Sequence, residues 1–148
     1  MLQRPYYKPS DVYAHIAQIH NLPDFVAKRT EAEAAARAKV ANGEATIYEI
    51  YDELQEPYKA LLDVELSLER DTLQVNPEIL EVIDYAISLN KTVFLIADNY
   101  LPSSLVREVL LRHGVTTAMK IFISSEYREG KWNSNLFKKA LEDVGSSI

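Results

Sequence analysis

The stretch TVFLIADNYLP, residues 92–102, followed at once by SSLVREVLLRHGV, residues 103–115, decides the fold of this chain. Its first part contains a continuous apolar run, Val93–Ala97, which is typical of a strand covered on both faces. Its second part has the periodicity of a helix, Ser103–His113, that ends at Gly114. In such a motif, free backbone N–H groups gather at the carboxyl end of the strand, where the loop leads into the helix. This is the place where α/β folds usually bind anionic ligands. Function is therefore expected to centre on this loop.

The segments on either side predict more elements of the same kind. The Asn-Pro pair at 76–77 indicates the start of a helix over 77–89, and KIFIS at 120–124 indicates a second strand. A polar loop over 125–133 and a last helix capped by Ser134 complete the order α-β-α-β-α. Two such strands predict a right-handed parallel unit. Because a two-stranded sheet is marginal on its own, we expect further strands from elsewhere.

The first 75 residues predict helices alone. The landmarks are an N-cap at Ser10, a first-turn proline at Pro23, a left-handed stop near Asn42 and Gly43, a T-x-x-E capping box from Thr46 to Glu49, and a longer helix opened by Pro57. Glu65 and Glu69 lie four residues apart in that last helix. Their charged neighbours favour solvated carboxylates over a paired acid site.

Composition narrows the class of protein. The 148 residues suit one domain, and 47% of them are hydrophobic, which is enough for a sizeable core. The net charge of −6 and the lack of a Lys/Arg cluster argue against nucleic acid and anionic membranes as partners. The sequence has no cysteine, no signal peptide and no apolar stretch near the ~20 residues that span a bilayer. These features predict a cytoplasmic protein.

Two longer patterns carry a family resemblance. The run NPEILEVIDYAISLNKTVFLIADNYLPSSLVREVLLRHGV, residues 76–115, and then IFISSEYREGKWNSNLF, residues 121–137, resemble the haloacid dehalogenase-like (HAD) hydrolases. The likeness is particularly to the group found alone or fused to bacterial glycosyltransferases. The segment RPYYKPSDVYAHI, residues 4–16, is similar to the segment after the first catalytic motif of that family, and T-x-x-E-I-Y and ELSLER are similar to its helical cap.

The resemblance implies a fold and a division of the chain. It implies an α/β protein with a partial HAD-like (Rossmannoid) parallel sheet and an N-terminal helical cap region. Residues 1–75 would form the cap-like region, and residues 76–148 would form the partial core.

The family also implies a chemistry. Its members use a D-x-D pair on the first strand as nucleophile and acid/base, a Ser or Thr after the second strand and a later Lys for the phosphoryl group, and further carboxylates for Mg²⁺. A dianionic ester repels a carboxylate nucleophile, so a metal, a lysine and backbone donors must offset the charge before in-line attack.

Most of that set is absent from this chain. The match begins near Arg4, after the point where the D-x-D strand would lie, so the resemblance implies no catalytic nucleophile here. Ala97 stands where the family has the hydroxyl, and the chain ends at LEDVGSSI, before the acidic metal-binding loop. A phosphate-binding remnant is implied at Ala97, Asp98, Asn99 and Lys131. No cofactor is expected for this chain, and Mg²⁺ only for a complete family site.

The remnant residues also have ordinary structural explanations. Asp98 and Asn99, directly after a strand, are typical of turn hydrogen bonds and caps. Lys131 is either a former phosphate ligand or a solvated loop lysine. The three histidines, His15, His20 and His113, do not share a helix face at metal-ligand spacing, so no metal site is expected.

Three hypotheses about function remain. The first is a truncated HAD-like hydrolase of phosphatase type that is not catalytically competent alone. The second is part of an active Mg²⁺-dependent phosphohydrolase that missing segments, on this or another chain, complete. The third is a protein-interaction module whose open sheet edge favours self-association or strand addition. A small phosphorylated substrate is expected only for an active enzyme.

Overall fold

The computed structural model describes residues 2–116 and 119–145. They form a mixed α/β structure, and none of their helices is both long and apolar enough to cross a bilayer. The elements in chain order are β1 (Leu2–Gln3), α1 (Ser10–Ile19), α2 (Phe25–Lys39), α3 (Ile47–Asp52), α4 (Leu62–Thr72), β2 (Gln74–Val75), α5 (Pro77–Ser88), β3 (Phe94–Ala97), α6 (Ser103–Arg112), β4 (Lys120–Ile123), α7 (Ser124–Tyr127) and α8 (Asn135–Asp143). The described residues exclude residue 1, residues 117–118 in the α6–β4 connection, and residues 146–148 of the predicted core region.

Local side-chain caps fix two helix starts as the sequence predicts. Thr46 Oγ1 accepts the Glu49 N–H at 3.3 Å, and the Glu49 carboxylate accepts the Thr46 N–H at 2.9 Å. The predicted capping box is therefore confirmed at the start of α3. Asn76 Oδ1 accepts the Glu78 N–H at 2.9 Å ahead of Pro77, as expected for α5. These bonds satisfy donors that a helix start leaves without partners.

Two other predicted caps are wrong. Ser10 does not cap α1 but is its first residue, because Pro9 already has helical torsions and the Asp11 carboxylate accepts the Lys8 N–H. Ser134 precedes α8 with a left-handed φ of 63° and no capping bond. Asn133 takes that role, since its Oδ1 accepts the Asn135 N–H at 3.0 Å.

Three predicted boundaries also need comment. Pro57 does not open the long helix: the N–H groups of residues 58 and 59 bond to the carbonyl of Gln55, a 3₁₀ turn spans Lys59–Leu61, and α4 starts at Leu62. The second α/β strand ends at Ile123, and the first turn of the predicted loop is the short helix α7. The stop near Asn42 and Gly43 is confirmed, because both have positive φ in a 3₁₀ turn just after α2.

The predicted parallel unit is present. β3 pairs in parallel with β4, from Phe94 opposite Lys120 to Ala97 opposite Ile123, and α6 makes the crossover. Leu95 and Ala97 pack with residues of α5 and α6, whereas Phe94 and Ile96 pack on the other face with Phe122 and α8. Both faces of β3 are therefore covered, as the apolar run predicts, although its four residues are half-buried and not fully buried. Within the described part of the chain β3 has one partner strand, and its outer edge is open.

A second strand pair was not predicted from the sequence. β1 pairs antiparallel with β2, with Leu2 opposite Val75, and each strand has only two residues. Two residues are too few to show an alternating pattern. The pairing brings the start of the described chain beside β3, because Leu2 packs with Leu95 and Ala97 in one apolar cluster.

The helical part and the α/β part share one apolar core. Its largest cluster is built from α1 to α4 and their connections, and it also contains Tyr100, Leu101, Leu105 and Val109 from the β3–α6 segment. The Ile47 N–H at the start of α3 donates to the Tyr100 carbonyl at 2.9 Å. Residues 100–109 therefore pack the α/β part against the helical part. The boundary between regions 1–75 and 76–148 stays a prediction.

Candidate functional site

The carboxyl ends of β3 and β4 lie together, joined by side-chain bonds. Ala97 ends β3, and Asn99 Oδ1 accepts the Leu101 N–H at 3.0 Å, which is the turn bond expected of that residue. The Asn99 N–H donates to Ser124 Oγ at 3.0 Å, where β4 gives way to α7. The loop after β3 is therefore fixed to the end of the neighbouring strand.

Lys131 comes to the same place. Its backbone N–H donates to Asp98 Oδ1 at 2.9 Å, across 33 residues of sequence. Ala97, Asp98, Asn99 and Lys131 thus line one groove, and their assignment as a phosphate-binding remnant stays a prediction. This strand-end groove has a volume of about 240 Å³, and its lining is completed by Leu2, Leu95, Ile96 and Val106. Because Leu95, Ile96 and Ala97 all line it, the groove follows the open edge of β3. Ala97 contributes only a methyl group to the groove.

The loop that carries Lys131 is anchored to the helical part. The Arg128 guanidinium donates to both Glu49 carboxylate oxygens, at 2.7 and 2.8 Å, and to the Glu44 carbonyl at 2.6 Å. Gly130 lies so close to its surroundings that a Cβ there would stand 2.5 Å from the Trp132 ring and 3.0 Å from Glu44 Oε1. Glu49, which completes the capping box of α3, thereby also positions the Lys131 loop.

The Glu49–Arg128 pair predicts a pH effect on stability. The hydrogen bond from Arg128 lowers the pKa of Glu49 to about 2, from a usual value of 4.5. The contribution of the Glu49–Arg128 pair to the free energy of unfolding is therefore complete above pH 4.5 and is lost as pH falls from there towards 2. Both side chains are about one-third exposed, so solvent screening keeps the effect modest. We expect the difference in free energy of unfolding between the wild type and Glu49→Gln, measured with urea, to shrink over that interval.

Glutamine keeps the capping box, because Gln also serves at that position. A difference that stays constant between neutral pH and pH ~3 would show that the Glu49 carboxylate is not stabilised by Arg128.

A second cavity adjoins the strand-end groove. This polar cleft, of about 280 Å³, lies between the helical part and the loop after β3, and Asp98 and Asn99 line both cavities. The remaining lining residues are Arg4, Pro9, Tyr13, Glu33, Arg37, Glu44 and Tyr100. A larger cleft of about 380 Å³ lies along α2 and the loop after α3 and does not reach the strand ends.

Behind the polar cleft lies a buried charge network, and it corrects a prediction. Glu65 and Glu69, expected to be solvated, are fully buried, as is Arg29. Arg29 donates from Nε and Nη2 to the two oxygens of Glu65, both at 2.9 Å, and Tyr51 donates to Glu65 at 2.7 Å. The prediction failed because burial here is set by partners 36 residues away. A charge buried in this way requires such pairing.

The network continues to the wall of the polar cleft. Arg29 also bonds to Glu33, whose other oxygen accepts from Arg37 at 2.9 Å. Arg4 Nε donates to Glu69 at 2.7 Å. The hydroxyl of Tyr100 is 3.4 Å from Glu69 and 3.3 Å from the hydroxyl of Tyr13. Arg4 and Tyr100 thus contact buried Glu69, Glu33 contacts buried Arg29, and Arg37 is held by Glu33.

Aromatic rings and burial set the electrostatics of the network. The Arg29 guanidinium lies 4.6 Å from the Tyr13 ring centre and 5.2 Å from that of Tyr100, which favours its charge. Burial alone would lower the pKa of Arg29, but the bond and charge of Glu65 outweigh it and raise that pKa. Burial raises the pKa of Tyr13 to about 12 and also raises the pKa of Tyr100. Both hydroxyls therefore stay protonated near neutral pH and can donate.

The histidines take no part in these cavities. His15 packs edge-on against Tyr6, with ring centres 6.1 Å apart. Over residues 2–116 and 119–145, no group of three or more His, Cys, Asp or Glu side chains is arranged to hold a metal ion. The expectation about metal stays a prediction.

The polar cleft and its network were not predicted from the sequence. The i, i+4 spacings of Arg29, Glu33 and Arg37, and of Glu65 and Glu69, are visible in the sequence, and they indicate one face on each of two helices. They do not indicate that the two faces meet. One predicted helix carries a face with arginines and another carries a face with glutamates, and tyrosines lie nearby in the sequence. This combination is the signal that could have suggested that Arg29 pairs with Glu65.

Comparisons with known proteins give no family for the chain. No protein-family model matches it, and neither does any curated protein.

Proposed function

We propose that this chain is an HAD-like hydrolase of phosphatase type, with a helical cap region and a partial Rossmannoid core, whose residues form an incomplete catalytic set and do not catalyse on their own. The observation that carries the proposal is the bond between Asp98 Oδ1 and the Lys131 N–H. It joins the loop after the first parallel strand to the lysine loop after the second, which is the pairing of motifs that the resemblance implies. A cytoplasmic location belongs to the same proposal and is supported by the lack of cysteine.

The chemistry of the strand-end groove explains why activity is not expected. Asp98 is the one carboxylate among the residues that line it, and one of its oxygens already accepts a backbone bond. The family chemistry that the resemblance implies needs a carboxylate nucleophile together with further carboxylates that hold Mg²⁺. This donor set does not fit a Mg²⁺ site of the family type. The Lys131 ammonium could bind a phosphoryl group without cleaving it, whereas the backbone N–H groups of Asn99 and Lys131 are already bonded to Ser124 and Asp98.

Hydrolysis of p-nitrophenyl phosphate tests the proposal. With the purified chain and Mg²⁺, we expect a rate no greater than that of buffer with Mg²⁺, because the single groove carboxylate, Asp98, cannot both attack the phosphate and hold Mg²⁺. Lys131→Ala should give the same rate as the wild type.

A rate that depends on Mg²⁺ and is lost in Lys131→Ala would overturn the proposal. Lys138→Ala is the matched control, because it removes an exposed lysine of α8 that does not line the strand-end groove. Activity that is equal in the wild type, Lys131→Ala and Lys138→Ala would indicate a contaminating phosphatase.

A second candidate is a hydrolase or interaction module completed by another segment. The open outer edge of β3, with the strand-end groove running along it, favours this candidate, because unpaired strand edges accept further strands. A strand ending in D-x-D in the neighbouring coding sequence would support the completed hydrolase. A strictly monomeric, non-binding protein in sedimentation would count against the interaction module.

A further inference from the structure

We propose that the polar cleft binds a neutral, hydroxyl-rich molecule, namely the sugar or polyol part of a phosphorylated ligand whose phosphoryl group lies in the strand-end groove. The assignment of the phosphoryl group rests on the proposed function. The assignment of the cleft rests on its own residues.

The cleft residues leave several hydrogen-bonding groups unused. Arg4 donates from Nε to Glu69, and no bond from its two Nη groups is found among the described residues. Glu44 uses its carbonyl to bind Arg128, and its carboxylate likewise has no partner there. Asp98 and Asn99 each use one side-chain oxygen, which leaves the second Asp98 oxygen and the Asn99 NH₂. The cleft thus presents both donors and acceptors.

The charges around the cleft favour a neutral ligand. Two cationic and three anionic side chains line the cleft, and Arg4 and Arg37 are each paired with a glutamate. An anion would approach Glu44 and Asp98, and a cation would approach Arg4, so an ion of either sign meets a like charge. A hydroxyl group has one donor and two acceptor positions and carries no charge. A molecule with several hydroxyls can therefore satisfy both kinds of group.

The wall of the cleft is preorganised. Buried Glu69 accepts from Arg4 and Tyr100, and buried Arg29, itself paired with Glu65, donates to Glu33 and lies over the Tyr13 ring. Burying ionised groups costs free energy, and a polar wall supported by a second layer of bonds is typical of binding sites. A volume of about 280 Å³ is near the lower end for small-molecule sites, which suits a single sugar ring.

The position of Glu44 links the two cavities. Its Oε1 lies close to Gly130, the residue before Lys131. Asp98 lies between them as well, because it lines both. A ligand that fills the cleft therefore places a substituent next to the Lys131 loop.

Binding of free sugars to the full chain tests the inference. The probes are D-glucose, D-mannose, D-ribose and myo-inositol, measured by saturation-transfer NMR and titration calorimetry. We expect at least one to bind with a dissociation constant of about 1 mM, as is usual for a ligand of this size. Glu44→Gln and Asp98→Asn should each weaken that binding about tenfold, because each removes a charged acceptor.

Asp52→Asn is the matched control, because it removes one negative charge from an exposed pair with Lys59 outside the cleft. Thermal unfolding shows whether each variant is folded, and either Glu44→Gln or Asp98→Asn suffices if the other is not. No binding of any of the four probes would overturn the inference. So would sugar binding that is unchanged in the folded cleft variants, or binding of glycine or putrescine in preference to the sugars.

Inorganic phosphate separates this inference from the proposed function. Sugar binding without any phosphate binding that depends on Lys131 would support the cleft and count against the phosphoryl site. Phosphate binding that Lys131→Ala abolishes, without sugar binding, would support the proposed function and overturn the cleft.

Discussion

Replacing Arg29 by methionine is expected to lower the free energy of unfolding by about 3–5 kcal/mol, because it leaves the buried carboxylate of Glu65 without its cation. Arg29 and Glu65 are fully buried, so water cannot take the place of the lost bonds. The cation is also lost from the faces of the Tyr13, Tyr51 and Tyr100 rings. Urea unfolding followed by circular dichroism measures the change.

Two further variants show whether charge is the cause. Lys59→Met removes one partner of an exposed ion pair with Asp52 and should cost at most about 1 kcal/mol. The double variant Arg29→Met with Glu65→Leu removes both buried charges and should be more stable than Arg29→Met alone. A loss below about 1 kcal/mol for Arg29→Met would mean that the Glu65 carboxylate finds water or another cation.

Truncating Leu101 to alanine should cost about 2–5 kcal/mol and should destabilise the helical part and the α/β part together. Leu101 is fully buried, and although it lies in the loop after β3 it packs in the apolar cluster of the first four helices. The cavity left by the truncation would therefore lie where the two parts meet. Circular dichroism and the fluorescence of Trp132, which lies in the Lys131 loop, should report one shared and shifted transition.

Leu111→Ala is the control, because Leu111 on α6 is 54% exposed and its truncation should have little effect. Two separate transitions in Leu101→Ala, one of them at the wild-type midpoint, would show that the regions on either side of residue 76 unfold independently.

The features that the sequence predicted well are local ones. The capping box at Thr46 and Glu49 and the cap at Asn76 each depend on residues two or three positions apart. The β3–α6–β4 unit follows from two apolar runs, one helical pattern and the handedness of crossovers. The resemblance placed Asp98 and Lys131 in one group, and the two residues are bonded, whereas their role in phosphate binding stays a prediction.

The features that were missed depend on contacts between distant segments. Glu69 was expected to be solvated beside its charged neighbours, yet its cation, Arg4, lies 65 residues away. The short strands β1 and β2 are likewise paired across most of the helical part. The polar cleft takes its residues from the start of the chain, from α1 and α2, from residue 44 and from the β3 loop, so no single window of sequence contains it.

The loop after β3 divides its residues between two neighbours. Asp98 and Asn99 attach to the lysine loop and to Ser124, whereas Tyr100 and Leu101 enter the helical core, with the Tyr100 carbonyl bound to α3. The length of the loop is therefore as constrained as its composition. One inserted residue would change which side chains of the loop face each neighbour. An apolar side chain would then lie at the strand ends, or a polar one would enter the helical core. Over evolutionary time this loop should accept substitutions much more readily than insertions or deletions.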